Sequence, residues 1–167
     1  MIKDIYLAAG CFWGAQLYLK QIKGVISTEV GYVNGNTLDP TYKEVYTDTT
    51  GYAEAVHVQY DTDMIELKRI IQLYFKSIDP LSLNKQGGDV GTRYRTGIYY
   101  KDNEDLAVIK EVYDSVQQEY GRELAVEVEP LKNFYRGEEM HQDYLDKNPQ
   151  GYCHISDALI EYVRSLT

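Results

Sequence analysis

The sequence IKDIYLAAGCFWG, residues 2–14, decides how the fold begins. Residues 2–8 form a short apolar run typical of a strand, and from Trp13 onward apolar residues recur with helical spacing until Gly24. The stretch therefore predicts a strand, a tight turn and a helix, and it puts Cys11 in the turn.

The remaining sequence alternates between the same two kinds of element. Residues 36–51 are polar and irregular, as in a functional loop, and residues 87–95 form a glycine-rich loop. Strands are predicted at residues 25–33, 54–60, 97–100 and 124–128, and helices from residue 67 to the pair Asp79-Pro80, at residues 106–120 and at residues 138–147.

Capping signals set the helix boundaries. Asp63 and Glu66 have capping-box spacing before the second helix, Asp102 caps the third helix, and Gly121 ends it. The order of elements resembles a ferredoxin-like split βαβ layout. We therefore expect an α+β fold, a two-layer α/β sandwich with helices on one face of a mixed, mainly antiparallel sheet and an irregular C-terminal segment.

Length and charge limit what the chain can be. At 167 residues it fits a single domain, residues 1–167, whose core needs no disulfide or structural metal. Its 17 basic and 26 acidic residues give a formal charge of -9, which repels phosphate backbones and anionic lipids. No apolar run approaches the ~20 residues of a membrane-spanning helix, and none has the length of a signal-peptide core. We expect a cytoplasmic protein without nucleic-acid or membrane partners.

The two cysteines are candidates for chemistry. Cys11 lies where amide groups and the helix dipole favour a thiolate, whereas a free cysteine is only about 3% thiolate at pH 7. The alternative interpretation is a small buried apolar side chain. Cys153 follows the turn at residues 148–151, near a mobile C-terminus, and is interpreted as a thiol that can reach Cys11. The spacing of Cys153, His154 and His141 matches no zinc pattern, so no metal is expected.

Glu54 is the most informative charged residue. Strand alternation puts it on the same face as Val56 and Val58, which should point into the core. A carboxyl group there must be paired or protonated, and burial would let it donate a proton near neutral pH. The alternative is a frayed strand end that leaves Glu54 in water.

Five other side chains complete the candidate site. The rings of Phe12 and Trp13 belong either to the core or to a dry socket suited to an apolar group such as a methyl. Asp89 and Tyr94 in the glycine-rich loop, and Tyr42 in the polar stretch, could supply hydrogen bonds, although exposure is the commoner outcome for a loop tyrosine. The loop lacks the Lys-Ser/Thr pair of a P-loop, so phosphate binding is not expected.

These residues together resemble one family. The segment Gly10-Cys11-Phe12-Trp13-Gly14 resembles the active-site signature of the peptide methionine sulfoxide reductase A family. Segments that resemble further family motifs, in the family's order, are Val30-Gly31-Tyr32, Pro40-Thr41-Tyr42, Gly51-Tyr52-Ala53-Glu54, Gln86-Gly87-Gly88-Asp89-Val90-Gly91, Tyr94-Arg95, His141-Gln142 and Asn148-Pro149-Gln150-Gly151-Tyr152-Cys153.

The resemblance implies reduction of the S epimer of methionine sulfoxide, in oxidised proteins or as the free amino acid. Cys11 would be the nucleophile, Glu54 would protonate the sulfoxide oxygen, and Cys153 would convert the Cys11 sulfenic acid to a disulfide. Thioredoxin would then reduce this disulfide, and no metal or organic cofactor would be required. We expect the enzyme to be a monomer.

The resemblance also assigns the remaining site residues. Tyr42 and Tyr94 would hydrogen-bond the sulfoxide oxygen, Asp89 would support the site, and Phe12 with Trp13 would hold the S-methyl group. These roles agree with the dry socket inferred from the residues themselves.

The chain departs from the family pattern at three positions. Tyr52 replaces a usual histidine, Gly88 a common asparagine and Arg93 a common glutamine, which puts fine substrate contacts in doubt. Residues 79–100 and the Gly-Tyr-Cys-His ending also resemble the A half of proteins that fuse A and B reductases. Two alternative functions remain at this point: a thiol peroxidase, and a tyrosine-rich binding module without catalysis.

Overall fold

A strand, a tight turn and a helix begin the chain, as the first residues predict. The computed structural model describes residues 1–166. Its strands are β1 (Ile2–Ala9), β2 (Val25–Val33), β3 (Ala53–Asp61), β4 (Lys85–Gln86), β5 (Asp89–Val90), β6 (Thr96–Tyr100), β7 (Glu127–Pro130) and β8 (Phe134–Arg136). Its helices are α1 (Phe12–Leu19), α2 (Tyr42–Tyr46), α3 (Leu67–Lys76), α4 (Asp105–Tyr120), α5 (Tyr144–Lys147) and α6 (Asp157–Ser165).

The main sheet has the strand order β7-β6-β1-β3-β2-β8. Its four central strands, with α1 and α3 as connections, form the split βαβ arrangement, and β7 and β8 extend the two edges. Among the strands of residues 1–166, only the β6–β7 pair is parallel, because α4 carries the chain back across the sheet between them. Strands β4 and β5 form a separate two-stranded hairpin. The expected α+β fold with a mixed, mainly antiparallel sheet is confirmed.

Alternation along the strands divides the core between the two faces of the sheet. Ile5 and Leu7 of β1, and Val56 and Val58 of β3, are fully buried on the face covered by helices α1, α3, α4 and α6. A smaller apolar cluster on the opposite face contains Tyr6, Ala8, Val33, Ala53, Ala55 and Tyr99, with Leu131 and Phe134 packed against it. The larger cluster therefore lies beneath the helix that follows Cys11.

A charged cluster crosses the second face of the sheet. The His57 ring lies between two carboxyl groups, with Nε2 2.6 Å from Asp4 Oδ1 and Nδ1 3.0 Å from Glu29 Oε1. It also stacks on Tyr6 at 4.4 Å between ring centroids. Although burial raises the pKa of Asp4, hydrogen bonds from His57 and Gln59 outweigh it and leave that pKa below its ordinary value. The cluster ties β1, β3 and β2 together.

Two predicted helix starts differ from the structure. The capping box at Asp63 and Glu66 is wrong: Glu66 is itself the N-cap of α3, and the Asp63 amide donates to the Asp61 side chain in the preceding turn. The chain is still turning at these residues, so the helix cannot yet begin. Asp102 accepts the Glu104 amide at 3.0 Å, one turn before α4, rather than occupying the N-cap.

The helix predicted at residues 138–147 is divided into a 3-10 turn, Glu139–His141, and α5. Asp143 has a left-handed backbone with φ 52°, which interrupts the helical hydrogen bonds. The Gln142 side chain accepts the Val30 amide and donates to the Val30 carbonyl, each at 2.9 Å. This tertiary contact fixes the break and docks the segment on β2.

Several short elements were not predicted: α2 within the polar stretch, strands β4 and β5 and the 3-10 turn Thr92–Tyr94 in the glycine-rich loop, β8, and α6 near the C-terminus. Helix α2 starts with a capping box formed by Thr41 and Glu44, and the Ser156 side chain caps α6 by accepting the Leu159 amide. Except for α6, each of these elements has five residues or fewer, too few to give a clear periodic signal. The strand expected at residues 124–128 lies at Glu127–Pro130, and the chain between α5 and α6 is irregular. Within residues 1–166, no helix has the length and apolar character needed to cross a membrane.

We predict that Asp4→Asn lowers the free energy of unfolding at pH 7 by on the order of 1 kcal/mol, because the charged hydrogen bond to His57 is lost. A carboxyl group whose pKa is lowered in the folded state stabilises the fold above its unfolded pKa, and this contribution disappears as pH falls below about 4. Urea unfolding from pH 7 downward should therefore show the difference from wild type shrinking. Asp114→Asn, on the exposed face of α4, is the control and should change little. A difference that persists at the lowest pH would contradict the assignment.

Candidate active site

Cys11 lies in the turn between β1 and α1, at the N-cap of the helix, and is 8% exposed. The turn depends on Gly10, the residue before Cys11, because Gly10 has φ +81°, a backbone conformation that favours glycine. A Cβ at Gly10 would also lie 2.8 Å from the Cβ of Gln86. The glycine is thus required for the turn that presents the thiol.

Glu54 points inward from β3, as strand alternation predicts, and is 1% exposed. The Phe12 amide donates to its Oε1 at 3.1 Å, and its Oε2 has no hydrogen-bond partner among residues 1–166. The alternative of a frayed, hydrated strand end is therefore wrong. Burial raises the pKa of Glu54 to about 8, although the Phe12 amide opposes this rise. The carboxyl group is mostly protonated at neutral pH and has a free oxygen.

The Cys11 thiol is also protonated at rest. Burial is the main cause that raises its pKa, and the charge that Glu54 acquires once its own proton is lost raises it further. The amides of Trp13 and Gly14 at the start of α1 only partly oppose this. The prediction that the helix start alone would favour the thiolate is thus wrong for this site. The dipole and amide effects are present, but desolvation and a neighbouring carboxyl group outweigh them.

Two tyrosines flank the Glu54 carboxyl group. Tyr94, in the 3-10 turn Thr92–Tyr94, is buried, and Tyr42, at the start of α2, is half-buried. Burial raises the pKa of both hydroxyl groups, that of Tyr42 to about 12, and the charge of Glu54 raises both further. Both are therefore neutral donors at physiological pH, and neither is the freely exposed loop tyrosine of the alternative interpretation.

Aromatic rings form one side of the site. Phe12 is fully buried, with its ring centroid 5.7 Å from that of Tyr32 and 5.6 Å from that of His141. The half-buried Trp13 ring stacks on Tyr144 at 3.8 Å. These contacts hold both rings of the Cys11 segment in fixed positions, which suits a socket for an apolar group.

His141 also belongs to the site, although its sequence context indicated only a motif residue and a zinc ligand that the spacing excludes. Its Nδ1 accepts a hydrogen bond from Trp13 Nε1 at 3.1 Å, and its ring stacks on Tyr42 at 4.4 Å. Burial lowers the pKa of His141, which keeps Nδ1 free to accept. His141 thereby joins the tryptophan of α1 to the tyrosine of α2.

Glu138 also positions Tyr42, and its role was not predicted. One carboxylate oxygen accepts the Tyr32 hydroxyl at 2.7 Å, and the other accepts the Tyr42 amide at 2.9 Å. The contact joins the start of α2 to the side chain of a core strand. No local sequence signal could reveal it, because Glu138 lies almost 100 residues from Tyr42 along the chain.

Arg93 is a second unpredicted part of the site. It is 7% exposed, its Nη1 is 2.6 Å from Asp48 Oδ2, and its guanidinium lies 4.2 Å from the ring centroids of both Tyr46 and Tyr94. Its positive charge opposes the burial that raises the pKa of Glu54. Arg93 thus braces Tyr94 and limits the proton affinity of the neighbouring carboxyl group.

Asp89 lies in the β4–β5 hairpin, half-buried, with Oδ2 lacking a hydrogen-bond partner within the described residues. Burial raises its pKa, while nearby His154 and Arg93 lower it. Its charge acts on the Cys11 thiol. The structure therefore brings Asp89 to the same region as the other predicted residues.

Cys153 lies against the first turn of α1. Its Sγ is 3.0 Å from the position that a Cβ at Gly14 would occupy, and Gly14 follows Cys11 by one helical turn. Residues three apart at a helix surface are neighbours, with about 5–6 Å between Cβ positions. Both cysteines are free thiols, and Cys153 packs on the same first turn of α1 that Cys11 caps.

Comparison with known proteins agrees with this geometry. The family model for Peptide methionine sulfoxide reductase matches residues 3–164. This chain belongs to the peptide methionine sulfoxide reductase A family. The Clostridium acetobutylicum protein named Peptide methionine sulfoxide reductase MsrA is 54% identical over 160 residues, which are 96% of this chain and 99% of that protein.

Solved structures of related proteins have the same fold. The reduced form of Mxr1 from Saccharomyces cerevisiae matches with a TM-score of 0.88 at 38% identity, covering 93% of this chain and 91% of Mxr1. Mxr1 in complex with Trx2 matches with a TM-score of 0.61 at 26% identity, covering 86% of this chain and 84% of that one.

Family membership establishes the enzyme class. The protein is an oxidoreductase that reduces methionine sulfoxide, as the resemblance of its motifs implies. A thiol peroxidase and a non-catalytic binding module therefore lose their support. Within residues 1–166, no group of three or more His, Cys, Asp or Glu side chains is arranged to hold a metal ion.

We predict that Glu54→Gln makes the Cys11 thiol more acidic, because the variant lacks the negative charge that Glu54 carries above its pKa of about 8. The pH midpoint for alkylation of Cys11 by iodoacetamide should fall by about one unit or more, the usual effect of a neighbouring charge. Mass spectrometry of the labelled peptides provides the measurement. Glu129→Gln, at an exposed position on β7, should leave the midpoint unchanged. An unshifted midpoint in Glu54→Gln would show that the two groups do not interact.

Proposed function

We propose that this reductase acts on the S epimer of methionine sulfoxide, in oxidised proteins and as the free amino acid, through a sulfenic acid on Cys11. The observation that carries the proposal is the Glu54 carboxyl group, buried and mostly protonated, with one oxygen unpartnered beside the thiol and the aromatic rings. Such a group is poised to give a proton to a polar atom that enters an otherwise dry site.

The chemistry requires that proton. Attack of a cysteine sulfur on the sulfoxide sulfur breaks the S–O bond, and an unprotonated oxygen is a very poor leaving group. In the proposed step Glu54 protonates the sulfoxide oxygen, and the thiol proton of Cys11 moves to the carboxylate. An S–S bond forms between Cys11 and the substrate as the substrate's S–O bond breaks, and the oxygen leaves as water with a second proton from Glu54. Water then attacks the Cys11 sulfur and breaks the S–S bond, which releases methionine, returns a proton to Glu54 and leaves Cys11 as a sulfenic acid. The methionine sulfur is reduced by two electrons, and the cysteine sulfur is oxidised by two.

The neutral resting state suits this exchange. A thiolate and a carboxylate side by side in a buried site would repel each other, whereas a thiol and a carboxyl group together carry no charge. Proton transfer to the substrate and from the thiol keeps the site neutral throughout. The raised pKa values of Cys11 and Glu54 are therefore compatible with catalysis once substrate is bound.

The surrounding residues have complementary roles in the proposal. The hydroxyl groups of Tyr42 and Tyr94, both neutral, would donate hydrogen bonds to the sulfoxide oxygen. Phe12 and Trp13, fixed by their ring contacts, would enclose the S-methyl group. Asp89 would support the site from the hairpin. The shape of this pocket would select one epimer, because the oxygen and the methyl group must meet opposite walls.

Cys153 would complete the cycle. Its thiol would attack the Cys11 sulfenic acid, giving a Cys11–Cys153 disulfide and water. The location of Cys153 against Gly14 supports this pairing. Mxr1, a relative with the same fold, is known in complex with Trx2, which supports a thioredoxin as the reductant of this disulfide.

We further propose that residues 1–167 form one catalytic domain that acts as a monomer in the cytoplasm. Both cysteines must return to the thiol form after each turnover, which suits a reducing compartment. No metal or organic cofactor takes part in the proposed cycle.

The rate of methionine sulfoxide reduction in a single turnover should fall as pH rises through about 8, because Glu54 then loses the proton that the oxygen needs. Glu54→Gln should lower this rate by about 100-fold or more, the range expected for a lost general acid, without loss of the fold. Rapid-quench assays with circular dichroism as the fold control would test both effects. Undiminished reduction by the glutamine variant would exclude Glu54 as the acid.

Cys153→Ser should reduce one equivalent of substrate per chain and then stop, because no thiol remains to resolve the sulfenic acid. Purified S and R epimers, each offered without reductant, test the specificity at the same time: only the S epimer should yield methionine. Mass spectrometry should find Cys11 as a dimedone adduct in the variant and a Cys11–Cys153 disulfide in wild type. Sustained thioredoxin-driven cycling by Cys153→Ser, or equal use of both epimers, would refute these assignments.

A further inference from the structure

His154, the residue after Cys153, has a defined tautomer. Its Nε2 lies 2.6 Å from the Ala9 carbonyl oxygen, at the end of β1. A carbonyl oxygen can only accept, so Nε2 carries the proton and donates. In the neutral ring the lone pair is therefore on Nδ1.

The Nδ1 atom is buried and has no hydrogen-bond partner within residues 1–166. It lies 2.9 Å from the position that a Cβ at Gly14 would occupy, and Cys153 Sγ lies 3.0 Å from the same position. A ring nitrogen with a free lone pair and a thiol sulfur therefore lie on the same side of the first turn of α1, each about 3 Å from one point. A glycine at this position is what leaves room for both.

The charge around His154 favours the neutral ring. Burial lowers its pKa, and the charge of Asp89 on β5 only partly opposes this. The other groups that pack on the ring are uncharged: the Ala9 carbonyl, Gly10, Gly14 and Gln86 with the neighbouring Gly87. The titratable side chains near His154 are Asp89, Cys153 and Tyr152, whose hydroxyl oxygen and the His154 Cβ each lie 3.4 Å from the position of a Cβ at Gly87.

The Cys153 thiol must lose its proton before it can react. Burial raises the pKa of its thiol, and its Sγ donates to the Ile155 carbonyl at 3.4 Å, so it is a thiol rather than a thiolate at neutral pH. Only the thiolate attacks sulfur rapidly. The resolving step therefore requires a base close to Cys153, and none of the residues in the proposed reduction step serves it.

We propose that His154 is the general base of the resolving step, taking the Cys153 thiol proton on Nδ1. The inference rests on the proposed function, in which Cys153 attacks the Cys11 sulfenic acid. The S–S bond forms as the S–O bond of the sulfenic acid breaks, and the hydroxyl group leaves as water with the proton of Glu54. His154 then releases its proton to solvent, and Glu54 takes one up, so that atoms and charge balance.

A general base at His154 is needed for disulfide formation but not for sulfoxide reduction. Sulfoxide reduction uses Cys11 and Glu54 and does not need a base at Cys153. Disulfide formation needs that base and does not involve the substrate. Loss of the base should therefore slow only disulfide formation, the second half of the cycle. Because His154 also anchors the Cys153 segment to Ala9, the variant used must keep that hydrogen bond while removing the basic nitrogen.

The test compares His154→Gln with His57→Gln, the same substitution in the charged cluster on the opposite face of the sheet. A glutamine amide can keep the bond to Ala9 but has no basic lone pair. Each protein is mixed with one equivalent of a methyl sulfoxide of S configuration, quenched at intervals, and analysed by mass spectrometry for sulfenic acid and disulfide. In His154→Gln at pH 7, methionine-type product should form at the wild-type rate, and the disulfide should form at least tenfold more slowly. A slowing of less than tenfold, or an equal slowing in His57→Gln, overturns the proposal.

The wild-type protein provides a second measurement that does not depend on a variant. If His154 is the base, the rate of disulfide formation should not rise from pH 7 to pH 8.5, because the histidine is already neutral throughout. It should fall only as Glu54, with a pKa of about 8, loses the proton that the leaving hydroxyl group needs. A rate that rises about tenfold per pH unit over this range would mean that ordinary thiol ionisation governs the step, and would overturn the proposal. If His154→Gln misfolds and reduces no substrate, the pH dependence of disulfide formation in wild type still tests the proposal. Absence of any Cys11–Cys153 disulfide in wild type would instead refute Cys153 as the resolving residue, and with it both proposals.

Discussion

The hydrogen bond from the Phe12 amide to the Glu54 carboxyl group joins the central strand β3 to the turn that carries Cys11. It fixes the carboxyl group next to the thiol and leaves the second oxygen free inside a buried site. Burying a charged carboxylate that lacks a full set of hydrogen bonds costs free energy, and the protein reduces that cost by keeping the group protonated. The same condition gives the site an acid at neutral pH, so a feature that weakens the fold locally is the basis of the proposed chemistry.

The surrounding side chains moderate the pKa of Glu54 and fix the aromatic rings around it. Arg93 lies between two tyrosines and opposes the rise in the Glu54 pKa. The pKa of the carboxyl group therefore stays close to physiological pH, and the group can both give and regain a proton. Glu138 and His141 hold Tyr42 and Trp13 through contacts outside the reacting centre. The rings that would contact the substrate are thereby fixed before it arrives, which lowers the entropy lost on binding.

Much of this arrangement could be predicted from residues close together in sequence. Strand alternation alone gave the inward direction of Glu54, and the strand, turn and helix around Cys11 follow from the first residues of the chain. The ionisation of Cys11 could not be predicted in this way, because it depends on burial beneath distant segments and on a carboxyl group from another strand. Arg93, Glu138, His141 and His154 act through tertiary contacts with the site, and no periodic pattern marks them.

The two glycines around Cys11 make the tail of the chain and the start of α1 dependent on each other. At Gly10 and Gly14, atoms of His154 and Cys153 occupy the space where side chains would otherwise project. Residues near opposite ends of the sequence therefore constrain each other, because a larger residue at Gly14 would require the tail to move. A homologue that recycles its cysteine without a thiol from the tail would be released from this requirement, and larger residues could then appear at the position of Gly14. The size of the residue at that position thus becomes an indicator, readable from a sequence alone, of how a given reductase regenerates its active cysteine.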